Sequence, residues 1–300
     1  MKQNTLTLRA PAKINLFLDI TGKKADGYHT ITGVMHTVGL YDLVTVSRFP
    51  MAEGLSPITL TCTRPDLPVD KGNIGYRAAE VFLSAVGEGD DPSFAVSIYI
   101  EKHIPAAAGM AGGSTDAAAV LKGLNALWGE PFDTQALCGL GVTLGADVPF
   151  CIVGGAQVTE GIGEKLTPVK PLPSCHMVVA CGGEGVSTPG AYGELDQMFE
   201  DFDGRLYAPE SARLTALLSA LESGDMEGVA SSVYNIFEYA VLPRHSTARR
   251  IKELMKRHGA TLALMSGSGP SVFGVFPTSE QAEQAVFALS QEGIPAWLCE

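Results

Sequence analysis

The residues most able to do chemistry in this chain lie in one glycine-rich segment, residues 105–119, with the sequence PAAAGMAGGSTDAAA. Gly109, Gly112 and Gly113 allow the backbone to turn tightly and to bring its amide groups against an anion. The residues from Ser114 onward have helical spacing, and the first turn of a helix offers unpaired N–H groups and a partial positive charge. The glycine segment therefore predicts a cradle for phosphate groups, with a tight turn and close helix packing as the structural alternative.

The spacing of these glycines differs from that of two common nucleotide motifs. No Gly-Lys-Ser/Thr follows, as a P-loop requires, and the order Gly-Met-Ala-Gly-Gly is not that of a dinucleotide-binding loop, which argues against a nicotinamide oxidoreductase. The hydroxyls of Ser114 and Thr115 could bind phosphate or Mg²⁺, and Asp116 is expected to cap the helix. Lys102, just before the segment, is expected to reach the nucleotide.

Charge, composition and cysteine usage narrow the class of protein. A net charge of −12 leaves little basic surface for a nucleic-acid backbone. The 300 residues, 46% hydrophobic and 18% charged, are typical of a folded protein of two domains. The six cysteines form no CxxC pair, and from the sequence we expect neither a signal peptide nor a membrane span. We therefore expect a cytoplasmic protein with free thiols, no structural zinc, and no nucleic-acid or membrane partner.

The elements around the glycine segment alternate between strands and helices. The first fifty residues predict four short strands, TLTLRA, INLFLDI, TGVMHTV and LVTVS, and ITLTC and FAVSIYI predict two more. Helices are predicted at 73–86, 114–128 and 134–144, so that the glycine segment joins a strand to a helix. GADVPFC predicts a tight loop that enters another strand.

The proline-bearing stretch LTPVKPLPSC has the composition of a linker, and we place the domain boundary there, with predicted domains at 1–167 and 168–300. The second domain begins with the strand HMVVAC. Helices at 208–222, 226–234, 247–258 and 280–291, two strands around SGSGPS and the strand PAWLC complete an α+β layer.

Four blocks of this sequence together resemble one enzyme family. The glycine segment is similar to the P-x-x-x-G-L-[GA]-G-G-S-[ST]-[DN]-A-A segment of the GHMP small-molecule kinases, with Met110 where leucine is usual. PAKINLFLDITGKKADGYHTI, residues 11–31, resembles the amino-terminal block of the branch that phosphorylates 4-diphosphocytidyl-2-C-methyl-D-erythritol. LGADVPFC and LMSGSGPSVFGVF resemble that branch's third and fourth blocks. The DGYH turn separates the branch from mevalonate, homoserine and galactose kinases.

The resemblance implies an α+β fold of two GHMP kinase domains. The amino-terminal domain would bind ATP and substrate and contain a left-handed β-α-β unit of a kind shared with a ribosomal protein. The carboxy-terminal domain would be ferredoxin-like, with the active site in the cleft between the two. The implied reaction is transfer of phosphate from ATP, accompanied by Mg²⁺, to the 2-hydroxyl of the cytidyl substrate in the non-mevalonate route to isopentenyl diphosphate. The nucleotide would be held by Lys102, Pro105, Ala106, Ala107, Ala108, Gly109, Met110, Ala111, Gly112, Gly113, Ser114 and Thr115.

The resemblance also implies a catalytic pair, Lys13 and Asp147. Asp147 lies in the otherwise apolar GADVPFC, where its carboxylate could ease deprotonation of an alcohol, and the alternative is a simple helix or turn cap. Lys13 follows a proline and precedes a strand, so its ammonium could steady both the carboxylate and the hydroxyl. Taken alone, a lysine near a terminus is usually a solvated charge.

An aromatic ring beside an imidazole in the DGYH turn, Tyr28 and His29, suits recognition of a flat pyrimidine. The resemblance implies that this pair contacts the cytosine ring, and Tyr192 is a candidate for a second stacking face. The run SGSGPS is expected to line the cleft as a structural element. Asn235 and Glu238, in YNIFE, are expected to lie in a helix interior.

Two alternatives remain open. The chain could be another GHMP kinase that acts on a small alcohol such as homoserine or mevalonate, and a requirement for a cytidine nucleotide decides between them. It could also be a catalytically silent relative that keeps the fold as a binding module, although retention of both Lys13 and Asp147 counts against this. As an assembly we expect a monomer or a weak homodimer.

Overall fold

A computed structural model of the chain describes residues 4–89, 93–199 and 209–299. These residues form two compact units whose segments alternate along the chain. Unit 1 is drawn from Met1–Ala12, Tyr41–Ile104 and Ala111–Gly154, and unit 2 from Lys13–Leu40, Pro105–Met110 and Gly155–Glu300. The linear domain boundary between residues 167 and 168 stays a prediction.

The beginning of the chain forms two long strands, β1 (Thr5–Lys23) and β2 (His29–Pro50). The prediction of four short strands was wrong about where they end. The polar residues that interrupt the apolar pattern, Lys13 and Asn15, are buried within β1 and do not terminate it. The first part of β1 and the second part of β2 belong to unit 1, and the other part of each strand belongs to unit 2.

Unit 1 contains a β-α-β arrangement. Strands β3 (Ile58–Cys62) and β4 (Phe94–Glu101) are parallel, and helix α1 (Ile74–Ala85) connects them, as a parallel pair requires. The second part of β2 pairs antiparallel with β4. Helix α2 (Gly112–Leu127) packs beside α1.

Two further helices complete unit 1, α3 (Thr134–Val142) and α4 (Val148–Val153). The prediction of a tight loop at GADVPFC was wrong, because this segment leads into α4. Pro149 lies in the first turn of α4, where its missing N–H removes no helical hydrogen bond. The buried side chains of the helix hold it in place against α2 and α3.

Unit 2 contains the remaining strands and helices. The strands are β5 (Ala156–Gly161), β6 (Lys165–Pro168), β7 (His176–Ala180), β8 (Tyr234–Asn235), β9 (Leu262–Met265), β10 (Val272–Phe276) and β11 (Ala296–Cys299). The helices are α5 (Thr188–Met198), α6 (Ser211–Ser223), α7 (Met226–Ser232), α8 (Phe237–Val241), α9 (Ser246–Arg257) and α10 (Ser279–Gln291). The predicted helix start at Ala208 lies outside the described residues.

One sheet of unit 2 has the order β11-β7-β10-β9, with every neighbouring pair antiparallel. Strands β7 and β10, the first and third along the chain, are central, and β9 and β11 are at the edges. Helices α9 and α10 pack on this sheet. This is the ferredoxin-like β-α-β-β-α-β arrangement, which confirms the prediction for the second half of the chain.

The other strands of unit 2 pair with the long strands. Residues 31–36 of β2 pair antiparallel with β5, and β5 pairs with β6. Phe17 and Leu18 of β1 pair parallel with β8.

Helix α5 was not predicted, because Pro189, Gly190 and Gly193 in its sequence indicate a loop. Pro189 lies in the first turn, and the Ser187 hydroxyl accepts a hydrogen bond from the Gly190 N–H at 3.3 Å. This cap starts a helix whose buried side, Ala191 and Leu195, packs against α8.

Candidate active site

The glycine segment is irregular up to residue 111 and then becomes α2. Ala107, Gly109 and Ala111 all have positive φ angles, of 51°, 74° and 57°. Ala111 is the N-cap of α2 and makes no side-chain capping bond, and the first turn carries no acidic residue. Because the first amides of a helix have no partner within it, those of α2 are suited to an anion, as the phosphate cradle requires.

The hydroxyl-bearing residues at the start of α2 differ in exposure. Thr115 is buried, and its hydroxyl donates a hydrogen bond to the Pro11 carbonyl at 2.8 Å. Ser114 is half-buried. The prediction that Asp116 caps α2 was wrong, because the helix begins at Gly112 and Asp116 lies inside it.

Asp116 instead belongs to a buried ion network with Lys102 and Asp42. The Lys102 ammonium donates to Asp116 Oδ2 at 2.6 Å and to Asp42 Oδ2. Asp42 Oδ1 also accepts from the N–H groups of His103 and Ile104, at 2.5 and 2.8 Å. The network therefore fixes the end of β4 and the first turns of α2.

Burial and the neighbouring charges shift the pKa values of Lys102 and Asp116 in this network. Burial alone would lower the pKa of Lys102, but the carboxylates of Asp116 and Asp42 outweigh it and raise that pKa above its usual value. Burial raises the pKa of Asp116 to about 8, against the effect of Lys102 and with that of Asp42. The side chain of Lys102 is only 5% exposed, and its contact with the nucleotide stays a prediction.

Lys13 is buried in β1. Its N–H donates to the Met110 carbonyl at 3.2 Å, which joins β1 to the glycine segment. Its ammonium donates to Asn15 Oδ1 at 2.7 Å. The alternative of a solvated lysine is therefore wrong, because only 4% of this residue is exposed.

Asn15, beside Lys13 in the PAKIN block, is a residue that the sequence analysis left out. Its Nδ2 is buried, with no hydrogen-bond partner among the described residues. A buried donor without a partner is costly, and this one lies next to a buried ammonium.

Asp147 immediately precedes α4 and makes no side-chain capping bond to that helix, which argues against a helix cap; the alternative of a turn cap stays open. Asp147 belongs to unit 1 and Lys13 to unit 2. Their action as a pair stays a prediction.

A loop of small residues, 266–271, supports the glycine segment within unit 2; we call it the Ser-Gly loop. All of its residues are buried. The Ser266 hydroxyl donates to the Gly109 carbonyl at 3.1 Å, and a Cβ at position 109 would lie 2.2 Å from the Ser266 carbonyl oxygen. Glycine is therefore required at position 109 both by its backbone angle and by this contact.

Asn235 and Glu238 form hydrogen bonds to the Ser-Gly loop and to Met265, the residue before it. Asn235 Nδ2 donates to the carbonyls of Met265 and Gly267, at 2.7 and 2.8 Å, and the Met265 N–H donates to Glu238 Oε1 at 3.0 Å. The prediction of a helix interior was wrong for Asn235, which lies in β8. Their spacing in YNIFE was the signal for this role.

The DGYH turn leads into a fixed histidine. The His29 ring stacks on the Tyr192 ring, with centroids 4.5 Å apart, and Tyr192 packs edge-on against Phe237. His29 Nε2 lies 2.6 Å from Asp196 Oδ1, and the Lys23 ammonium lies 2.8 Å from Asp196 Oδ2. The structure thus brings His29 and Tyr192 together, and the contact of either ring with cytosine stays a prediction.

Asp196 is a second residue that the sequence analysis missed. Partial burial opposes ionisation of its carboxyl, but hydrogen bonds from Lys23 and His29 outweigh this and lower its pKa. Asp196 follows Tyr192 by one helical turn, so both lie on one side of α5. This relation was hidden because α5 itself was not predicted.

Tyr28 differs from its neighbour in being 64% exposed. Its backbone is fixed by hydrogen bonds from its N–H to Asp26 and from the Lys24 N–H to its carbonyl, at 3.0 and 2.7 Å. An exposed ring on a fixed backbone can stack on a planar ligand.

Among residues 4–89, 93–199 and 209–299, no group of three or more His, Cys, Asp or Glu side chains could hold a metal ion. In the same ranges no helix has the length and apolar character needed to cross a membrane. All six cysteines are free thiols.

Two family models match the chain. The model of the GHMP kinases N terminal domain matches residues 73–155, and that of the GHMP kinases C terminal matches residues 217–295. The chain belongs to the GHMP kinases. Membership of a kinase family implies the use of ATP, which agrees with the cradle at α2.

Relatives that are similar over nearly the whole chain carry the name of one kinase within this family. A protein of Alkaliphilus metalliredigens is 40% identical over 97% of this chain and 94% of its own, and one of Clostridium botulinum is 37% identical over 98% and 99%. Both are named 4-diphosphocytidyl-2-C-methyl-D-erythritol kinase.

Solved structures agree with this similarity. A crystal structure of 4-(cytidine 5'-diphospho)-2C-methyl-D-erythritol kinase matches with a TM-score of 0.77 and 32% identity, over 98% of each chain. The mevalonate kinase of L. major, in complex with R-mevalonate, has a TM-score of 0.78 but only 16% identity, over 100% of this chain and 98% of its own. The latter likeness shows the shared fold alone.

Proposed function

We propose that this chain transfers the γ-phosphate of ATP to the 2-hydroxyl of 4-diphosphocytidyl-2-C-methyl-D-erythritol. The products are the 2-phosphate and ADP, in the non-mevalonate route to isopentenyl diphosphate. The observation that carries this proposal is the near-full-length similarity to kinases of that name. The position of His29 between Tyr192 and Asp196 supports it, because a fixed imidazole suits recognition of a pyrimidine.

The phosphates of ATP would be held by backbone amides. The first-turn amides of α2, with no acidic side chain near them, fit an anion, and the backbone of residues 105–110 would contact the nucleotide as part of the same segment. Mg²⁺, bound together with ATP, would neutralise charge on the phosphates.

Lys13, Asn15 and Asp147 would act on the reacting hydroxyl. As the hydroxyl oxygen bonds to the γ-phosphorus, the bond from that phosphorus to the bridging oxygen breaks and ADP leaves. Asp147 would take the hydroxyl proton or orient it, while Lys13 and the amide of Asn15 would stabilise negative charge nearby. Tyr28 would stack on the cytosine ring and His29 would bind its edge, with Tyr192 as the second aromatic face.

The decisive assay measures Mg²⁺- and ATP-dependent phosphorylation of the cytidyl substrate, with homoserine and mevalonate in parallel and with the Asp147→Ala variant. We expect turnover of the cytidyl substrate only, and its collapse in the variant. Turnover of homoserine or mevalonate would favour another GHMP kinase. Absence of turnover in a folded, ATP-binding protein would favour a silent binding module.

The remaining parts of the proposal concern the state of the protein in the cell. A cytoplasmic location is supported by the six free thiols, which suit a reducing compartment. The small cytidyl substrate is the proposed partner, with the chain as a monomer or weak homodimer.

A further inference from the structure

A cavity of about 500 Å³ lies within unit 2, and none of its lining residues is among those assigned to ATP or the cytidyl substrate. Its volume falls in the range of small-molecule sites in proteins. It is formed by α6, the α7–α8 region, α9 and β9. Charged, aromatic and aliphatic side chains all contribute to its lining.

The charge of this cavity is opposite to that of the whole protein. Three cationic side chains, Arg213, Lys252 and Lys256, and one carboxylate, Glu238, line it, which gives a net charge of +2 in a chain of −12. The Arg213 guanidinium lies over the Tyr234 ring, 5.2 Å from the centroid, and 3.5 Å from the carboxylate of Glu210, which is not among the lining residues. Such a concentration of positive charge attracts an anion.

The apolar part of the lining indicates the shape of the occupant. Tyr239 is 53% exposed, and Leu242, Leu262 and Leu264 contribute aliphatic surface to the same cavity. A ligand that fills this space has an anionic group at the cationic side chains and a small planar or aliphatic body at the tyrosine and leucines.

The carboxylate of the cavity is connected to the glycine segment. Lys252 donates to both oxygens of Glu238 at 2.6 Å, and Glu238 accepts from the Met265 N–H. The chain continues from Met265 into Ser266, whose hydroxyl binds the Gly109 carbonyl. A change in the Lys252–Glu238 contact therefore has a short path to the backbone at Gly109.

We propose that this cavity binds a small phosphomonoester and that its occupation changes the affinity for ATP. Arg213, Lys252 and Lys256 bind the phosphate group, whose two negative charges match the net charge of +2. A carboxylate supplies only one charge and binds more weakly. The phosphate draws Lys252 away from Glu238 and so relaxes the hold on Met265 and the Ser-Gly loop. This site uses none of the residues proposed for the kinase reaction.

The binding test is titration calorimetry with phenyl phosphate, inorganic phosphate and phenylacetate, on protein saturated with Mg²⁺ and a non-hydrolysable ATP analogue. Saturation keeps the probes out of the nucleotide site. We expect phenyl phosphate to bind at least about fivefold more tightly than either other probe, because it alone has both the dianion and the ring. No binding of phenyl phosphate, or equal binding of phenylacetate, would overturn the proposal.

Location is tested by a matched pair of variants on α9. Lys256→Gln removes a charge that lines the cavity, and Arg257→Gln removes the charge of the next residue, which does not line it. We expect Lys256→Gln to weaken phenyl phosphate binding about five- to tenfold and Arg257→Gln to weaken it less than about twofold. Equal effects of the two variants would place the ligand elsewhere.

The coupling is tested by the apparent KM for ATP, with and without saturating phenyl phosphate. We expect a change of at least about twofold in the unaltered protein and in Arg257→Gln, and a smaller change at the same phenyl phosphate concentration in Lys256→Gln, because its weakened site is less fully occupied. Tight binding without any change in KM would refute the coupling through Met265. Loss of kinase activity in every sample would instead count against the proposed function, since the calorimetric result does not depend on turnover.

Discussion

We expect the Gly109→Ala substitution to lower the free energy of unfolding by more than the positive φ angle alone would. The φ angle of Gly109 is 74°, and a Cβ added there would lie 2.2 Å from the Ser266 carbonyl oxygen. The same Cβ would lie 3.0 Å from the Gly269 backbone nitrogen. These neighbours are backbone atoms, so no side-chain rotation can relieve the overlap.

The size of the effect follows from two contributions. A left-handed backbone costs an alanine about 1–2 kcal/mol, and overlap in a well-packed site costs about 1–3 kcal/mol more. The free energy of unfolding should therefore fall by about 2–5 kcal/mol, which for a chain of this size corresponds to a Tm lowered by roughly 4–10 °C. Gly54→Ala is the matched control, because its φ is 82° and nothing lies within 4 Å of the added Cβ.

The assay is thermal unfolding of both variants by circular dichroism, together with the KM for ATP. Gly54→Ala should show only the backbone contribution, roughly 2–4 °C, and an unchanged KM. Gly109→Ala should lose more stability and raise the KM, because the overlap displaces the glycine segment. Equal losses of Tm in the two variants would refute the argument from the Ser266 contact.

Three other perturbations have outcomes that the structure fixes. In steady-state assays Asp196→Asn should raise the KM for the cytidyl substrate about three- to tenfold, because His29 loses the hydrogen bond that holds it. The KM for ATP should be unchanged, and an equal rise in both KM values would contradict this role. Lys102→Met should lower the free energy of unfolding in urea by about 3–5 kcal/mol, because the buried Asp42 and Asp116 lose their cationic hydrogen-bond partner. Lys71→Met, at an exposed ion pair, should change it little. Burial raises the pKa of Asp19 from 3.8 to about 6, so the folded chain holds this proton more tightly than the unfolded chain. Stability from Asp19 should therefore be lost as the pH rises from about 4 to about 6, and Asp19→Asn should flatten that part of the Tm profile; an unchanged slope would argue against this titration.

Local patterns in the sequence predicted the elements whose signals are themselves local. The apolar spacing after the glycine segment predicts α2, and alternation around SGSGPS predicts β9 and β10. Prolines and glycines misled the analysis at α4 and α5, because Pro149 and Pro189 lie in the first turn of a helix, where proline is tolerated.

The side-chain networks of the site depend on contacts between distant parts of the chain. His29 and Asp196 are 167 residues apart, and Asp42 and Lys102 are 60 apart. No periodicity within one element reports such a contact. The family resemblance supplied Lys13, Asp147 and His29, whereas Asn15 and Asp196 became apparent only from the geometry around them.

The pairing of β1 with β8 has a consequence for how the chain acquires its structure. Phe17 and Leu18 are made early by the ribosome, yet their parallel partners, Tyr234 and Asn235, are made late. Until then this edge of β1 exposes unpaired backbone groups, which other strands can bind. A chain cut after residue 167 would keep that edge open permanently, and we expect it to aggregate where the whole chain remains dispersed.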